Sequence, residues 1–195
     1  MPLIDISPRI DSTSPVYPGD VPLCIRTICE TPAFVTAFEM TPHLGAHVDA
    51  PRHLGGAKDV SQLPLEIFVG ECLVVDCSGI AVVEPKHIPD SVPERVLFKT
   101  GFEMGGTWTS TYPVLSKAAM QKLSALGVRL VGIDSPSIDP ENEALVSHHL
   151  AIAAEMVILE NLRLTEVSAG FYRLIALPLA IAGLEASPVR AILEK

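Results

Sequence analysis

The segment Thr41-Pro42-His43-Leu44-Gly45-Ala46-His47-Val48-Asp49-Ala50-Pro51-Arg52-His53 holds three of the chain's six histidines. Pro42, Gly45 and Pro51 would each damage a helix, by removing a backbone donor or by loosening the backbone, so the segment predicts extended structure. In a strand alternate residues share a face, and His43, His47, Asp49 and His53 all occupy odd positions. Six residues of ideal strand span ~20 Å, whereas the ligands of one metal lie ~2 Å from it. The four groups can therefore share a site only if the strand curls. Gly45 supplies the bend, and its missing side chain is expected to leave room for an ion. Pro51 turns the chain so that His53 can return. This pattern is unlike the helical H-E-x-x-H zinc motif and puts the histidines on a sheet.

The sequence around this segment predicts more strands than helices. A strand-like segment starts at Asp5-Ile6-Ser7-Pro8, and Tyr17-Pro18-Gly19-Asp20 reads as a turn. Strands are expected at Phe34–Thr41, Glu71–Ser78, Arg95–Thr100, Val128–Asp134, Met156–Glu160 and Tyr172–Leu177. The best helix is Ser116–Leu126, with Ser116 as N-cap and Gly127 just past its end. His148–Ala154 also has helical composition. No G-x-G-x-x-G or P-loop occurs. The fold class is α/β, a single domain over residues 1–195 with mixed β-sheets and a few helices, not a doubly wound nucleotide fold.

Composition narrows the function. With 195 residues, 48% of them hydrophobic and 19% charged, the chain can bury a core as one domain. The net charge of −9 and scattered Lys/Arg exclude a nucleic-acid footprint. Pro2, Asp5 and Pro8 interrupt any secretory apolar region, and Arg173 and Pro178 break the longest apolar run, so no membrane association is expected and the chain reads as cytoplasmic. The four cysteines, Cys24, Cys29, Cys72 and Cys77, form no C-x-x-C pair and are expected to pack as free thiols.

Two imidazoles and a carboxylate suit a borderline divalent ion such as Zn²⁺, with Mn²⁺ second, and leave a position open for water. The pKa of such a water can fall to ~7. His53, whose type titrates near ~6.5, is suited to shuttle a proton. A second cluster lies downstream, where Ser147-His148-His149 is followed by an apolar run ending at Glu160. A carboxylate ending a buried strand is costly unless paired or on a metal, so Glu160 is a candidate ligand. Asp49 and Glu160 together could bridge two ions.

These residues resemble the H-x-G-T/A-H-x-D-x-P-x-H signature of the cyclase family of metal hydrolases. The resemblance extends over nearly the whole chain, through Tyr17-Pro18-Gly19-Asp20, the stretch Gly127-Val128-Arg129-Leu130-Val131-Gly132-Ile133-Asp134-Ser135-Pro136-Ser137-Ile138-Asp139-Pro140, and the ending Leu184-Glu185-Ala186-Ser187-Pro188-Val189-Arg190-Ala191. It implies a swivelling β/β/α fold, usually a dimer or larger homo-oligomer such as a tetramer, with two metal ions. His43 and His47 would bind the first ion, Asp49 and Glu160 would bridge, His148 would bind the second, and His53 would donate and accept the proton. His149 is the alternative to His148. The C-terminal ending points to the formamidase branch, which implies hydrolysis of N-formylkynurenine to kynurenine and formate. Tyr17 stands where those enzymes carry a substrate-lining tryptophan, and tyrosine can still stack on an aryl ring. Phe34 and Phe38 are further candidates for aromatic walls.

Two rival readings differ in class. One keeps the metal and takes another small-molecule aryl amide or a lactam such as isatin. The other is a non-catalytic zinc-binding protein, but structural sites are usually closed and cysteine-rich. Ser135 and Ser187 lack the G-x-S-x-G elbow of a nucleophile. Trp108 is expected to pack rather than cover a site, and His87 to be solvated.

Overall fold

The computed structural model describes residues 2–141 and 144–195. In chain order the strands are β1 (Leu3–Asp5), β2 (Cys24–Cys29), β3 (Val35–Glu39), β4 (His47–Asp49), β5 (Val69–Asp76), β6 (Val82–Val83), β7 (Arg95–Lys99), β8 (Val114–Leu115), β9 (Leu130–Ile133), β10 (Val157–Glu160), β11 (Gly170–Ile175), β12 (Ala186–Pro188) and β13 (Ile192–Glu194). The helices are α1 (Lys117–Ala125) and α2 (Val146–Ala153). Nine strands form one sheet in the order β1-β13-β11-β5-β7-β9-β10-β4-β12. Its centre, β5-β7-β9-β10, is parallel, and the flanking pairs are antiparallel. β2 and β3 make a separate antiparallel hairpin, and β6 and β8 a short parallel pair. The result is the expected α/β fold, a mixed and curled sheet with two helices.

The period-2 rule assigns the two faces of the parallel centre. Val96 and Phe98, Val131 and Ile133, and Ile158 face one side, where Met120 and Leu123 of α1 and Ala151 of α2 cover them. Leu97, Leu130, Val157 and Leu159 face the other side. Val48 near one end of the sheet and Leu193 near the other belong to that same second core, so the sheet curls around it. Fully burying side chains of this size contributes about 1.5–3 kcal/mol each.

α1 forms where its caps direct it. The Ser116 hydroxyl accepts from Ala119 N at 3.1 Å, and Gly127, with φ +78°, takes the left-handed conformation that ends the helix. β1 ends earlier than the Asp5–Pro8 reading. Ser7 leaves the ladder, and its hydroxyl accepts from Ala191 N at 2.8 Å instead. Cys72 and Cys77 are buried as expected, whereas Cys24 and Cys29 are exposed on the hairpin. His87 is more than a solvated side chain, because its Nδ1 accepts from Glu84 N at 2.9 Å and closes a 3₁₀ turn.

Candidate metal centre and its cavity

The β10–β4 register pairs Glu160 with His47 and Ile158 with Asp49. Cross-strand partners point to one side. Since Val48 and Leu159 fill the curled core, His47, Asp49 and Glu160 are left facing α2. Asp139 fixes how α2 meets them. Its Oδ1 accepts from Ser147 N at 2.9 Å, and its Oδ2 accepts from His148 N at 2.9 Å and from His148 Nδ1 at 2.8 Å. One carboxylate thus caps the helix and fixes the ring, leaving Nε2 of His148 3.5 Å from both Asp49 Oδ2 and Glu160 Oε1. His149, one residue on, is exposed and faces away.

His43 and His53 reach the cluster by turns, not along a strand. Strand geometry covers only His47–Asp49, and His53 sits in a 3₁₀ turn over Pro51–Leu54. Gly45 makes the bend with φ +73°, but the room its missing Cβ leaves is taken by Ile10, whose Cδ1 would lie 2.6 Å from such an atom. The glycine admits a neighbouring side chain there, correcting the expectation of space for an ion. His43 Nδ1 lies 3.2 Å from Asp49 Oδ1, and its Nε2 lies 3.6 Å from Glu185 Oε1. The His53 ring centroid is 4.6 Å from that of His43 and 5.8 Å from that of His148.

The two carboxylates straddle the cluster. Asp49 Oδ1 faces His43 and His47 (3.2 and 3.7 Å), while its Oδ2 faces His148. Glu160 Oε2 faces His47 at 3.4 Å, while its Oε1 faces His148 and accepts from Ile138 N at 2.7 Å. His47 Nδ1 donates to Gly45 O at 2.9 Å, so its Nε2 turns inward, as that of His148 does. Asp49 Oδ1 and Oδ2 are buried with no aligned N–H on either of them, a costly state for a charge unless a cation completes it.

The electrostatics carry the same sign. Burial alone would raise the Asp49 pKa, but His148, His43 and His47 hold it well below the usual carboxylate range. Burial opposes protonation of His148, yet Asp139, Asp49 and Glu160 push it up to about 10. His47 is raised against its burial by Glu160 and Asp49. The cluster attracts positive charge, and without an ion the protons supply it. His53 departs the other way. Burial, helped by the charges of His43 and His148, lowers it below its ordinary value.

A cavity of about 640 Å³ opens from these groups. Tyr17, Trp108 and Tyr112 line it. Tyr17 and Trp108 meet edge to face at 5.4 Å, and Trp108 Nε1 donates to Glu141 Oε2 at 2.9 Å. Burial pushes the Tyr112 phenol up to about 12, keeping it protonated. Trp108 therefore walls the cavity, contrary to the packing reading. Phe34 and Phe38 are 68% and 66% exposed on the β2–β3 hairpin and do not line it. Ser135 and Ser187 spend their hydroxyls on the carbonyls of Ser137 and Pro188.

The curled mixed sheet, with histidines and carboxylates gathered where β4, β10 and α2 meet, defines a type of enzyme scaffold with known relatives. The family model "Putative cyclase" matches residues 4–140, and the chain belongs to that family. A kynurenine formamidase of Bordetella avium (strain 197N) is 44% identical over 204 residues, covering 99% of this chain and 98% of that protein. A kynurenine formamidase of Bordetella petrii is 41% identical over 206 residues, again covering 99% and 98%. Among solved structures, the "predicted metal-dependent hydrolase from Bacillus stearothermophilus" superposes with a TM-score of 0.84 at 28% identity, covering 98% of this chain and 97% of that one. Among the described residues no helix is long and apolar enough to cross a membrane.

Proposed function

We propose that this amide-hydrolysing enzyme removes the formyl group of N-formylkynurenine, yielding kynurenine and formate, with divalent ions held by His43, His47, Asp49, Glu160 and His148. The observation that carries the reading is the Asp49 carboxylate, buried without a hydrogen bond beside His43, His47 and His148, which themselves line the aromatic-walled cavity. The substrate is that of the full-length relatives named above. Two carboxylates, each turning one oxygen to His47 and the other to His148, favour a pair of ions over one. The imidazole and carboxylate donors suit Zn²⁺, with Mn²⁺ second. Such ions, when bound, acidify water and polarise a carbonyl oxygen.

The chain's own residues supply the rest. Glu160 is immobilised by Ile138 N, His47 by Gly45 O and His148 by Asp139, so the donor set is preorganised by the fold. Tyr17 and Trp108 present ring edges and faces that can hold an aryl group beside the cluster. When the C–N bond breaks, the aniline nitrogen needs a proton. His53 faces the cavity and, being neutral at pH 7, can take the proton lost by the attacking water and pass it to that nitrogen.

The test is hydrolysis of N-formylkynurenine by the metal-loaded protein, followed by absorbance, beside an EDTA-treated sample. Fast turnover that disappears with chelation and returns with Zn²⁺ is the expected result, and the treated protein should stay folded because the donors are held by hydrogen bonds of the fold. A loaded protein that leaves this formamide intact would move the substrate to another aryl amide or a lactam. A second expectation concerns Asp139→Asn, which replaces an acceptor of His148 Nδ1–H with an amide. Its metal affinity should fall about 10–100-fold, read by competition with a chromogenic chelator, with circular dichroism unchanged. Unchanged affinity would show that the ring needs no such partner.

A further inference from the structure

We infer that Arg9 recognises the free carboxylate of the substrate's amino-acid tail, so that the cavity selects aryl formamides carrying such a tail over plain formanilides. This rests on the formamidase reading and adds a specificity residue to it. Away from the metal ligands the cavity has an acidic lining, with Asp20, Glu141 and Glu185 facing it. In a chain of net charge −9, such a mouth suits the ammonium of an amino-acid tail and repels its carboxylate unless a cation offsets it. Arg9 is the one Lys or Arg among the described residues that line it.

Its setting suits a ligand role. Several other arginines are spent on the fold: Arg190 pairs with Asp5, Arg173 with Glu194 and Arg129 with Glu94. Among the described residues Arg9 has no such pair, and its side chain is exposed at the cavity rim. The nearby Asp11 turns its Oδ1 to Thr13 instead, accepting from the Thr13 amide at 2.9 Å. The backbone beside Arg9 is anchored, because Ile10 seats against Gly45 within the histidine segment itself. The backbone is thereby tethered against the histidine segment while the planar guanidinium stays free at the cavity, the fork that grips a carboxylate by two hydrogen bonds. The formyl group would lie at the imidazoles, the ring against Tyr17 and Trp108, and the tail at Arg9.

The experiment compares two substrates in wild type, Arg9→Ala and Arg9→Lys. One is N-formylkynurenine. The other is 2-formamidoacetophenone, which keeps the ring, ketone and formamide but lacks the amino-acid tail. In Arg9→Ala, KM for N-formylkynurenine should rise about tenfold with kcat held, since the contact is the same in ground and transition states. KM for the truncated substrate should stay within about twofold of wild type, and Arg9→Lys should recover part of the loss. Equal changes for both substrates, or no change for either, would overturn the assignment while leaving the formamidase intact. A wild type inactive on both formamides would overturn the formamidase reading and this inference together.

Discussion

Asp49→Ala protein is expected to fold, to lose its bound metal and to fall in turnover by at least about 10³-fold, or about 4 kcal/mol of barrier. The size follows from where the carboxylate stands. Its two oxygens face the two poles of the cluster, so one substitution removes a donor from each. In the metal-free protein it is a buried charge without a hydrogen bond, offset only by imidazoles around it. Its removal relieves that desolvation cost while leaving His47 and His148 with Glu160, so the fold should survive. The variant also changes how metal bears on stability. A site that binds only the folded state stabilises it by about 2.7 kcal/mol at a hundredfold excess of ligand over Kd, which raises Tm in wild type and not in the variant. Metal content by elemental analysis, Tm with and without Zn²⁺, and turnover are the three readouts. A variant that keeps its metal and turns over within tenfold of wild type would remove this cluster as the metal centre.

Much of this arrangement is legible in the amino-acid sequence, and the parts that are not share a physical cause. Local chemistry is legible. The Ser116 cap, the Gly127 stop, the Tyr17–Asp20 turn, where Asp20 N donates to Tyr17 O at 2.9 Å, and the apolar runs of β5, β7, β9 and β10 all follow from neighbours in sequence. The odd phase of His43, His47, Asp49 and His53 selects residues that do meet, though only His47 and Asp49 do so by strand alternation. The hidden features depend on distant partners. β12 is three residues long and gains its meaning from pairing with β4, well over a hundred positions away. The Ile10 side chain under Gly45 is equally remote from any local pattern. Asp139 falls within the family-like stretch Gly127–Pro140, but its role, capping α2 and orienting His148, is hidden because it needs the loop between β9 and α2 to fold back. Trp108 sits in a loop without periodicity, so its place in the cavity wall has no local signature.

His53→Ala should keep its full complement of metal and lose about 10²-fold or more in kcat on N-formylkynurenine. The competing role for this side chain is specific, because His53, His43 and Asp49 also form a trio whose ligand atoms lie within 4.8 Å of one another. Metal content alone separates the two roles only partly, since an ion can persist with one ligand fewer. Leaving-group dependence separates them fully. A general acid matters in proportion to how badly the departing amine needs a proton, so a formanilide with a strongly electron-withdrawing ring substituent should be hydrolysed by His53→Ala at nearly the wild-type rate. A ligand acts before the bond breaks, and its loss should slow every formanilide by a similar factor. The depressed pKa of His53 fits the first role. Burial, against the opposing charge of Asp49, lowers the ring below its ordinary value and so keeps it neutral at pH 7, able to receive a proton and too weak a base to hold it. A loss that stays constant across a series of ring-substituted formanilides, with less metal bound, would make His53 a ligand and leave the proton transfer to another group in the cavity.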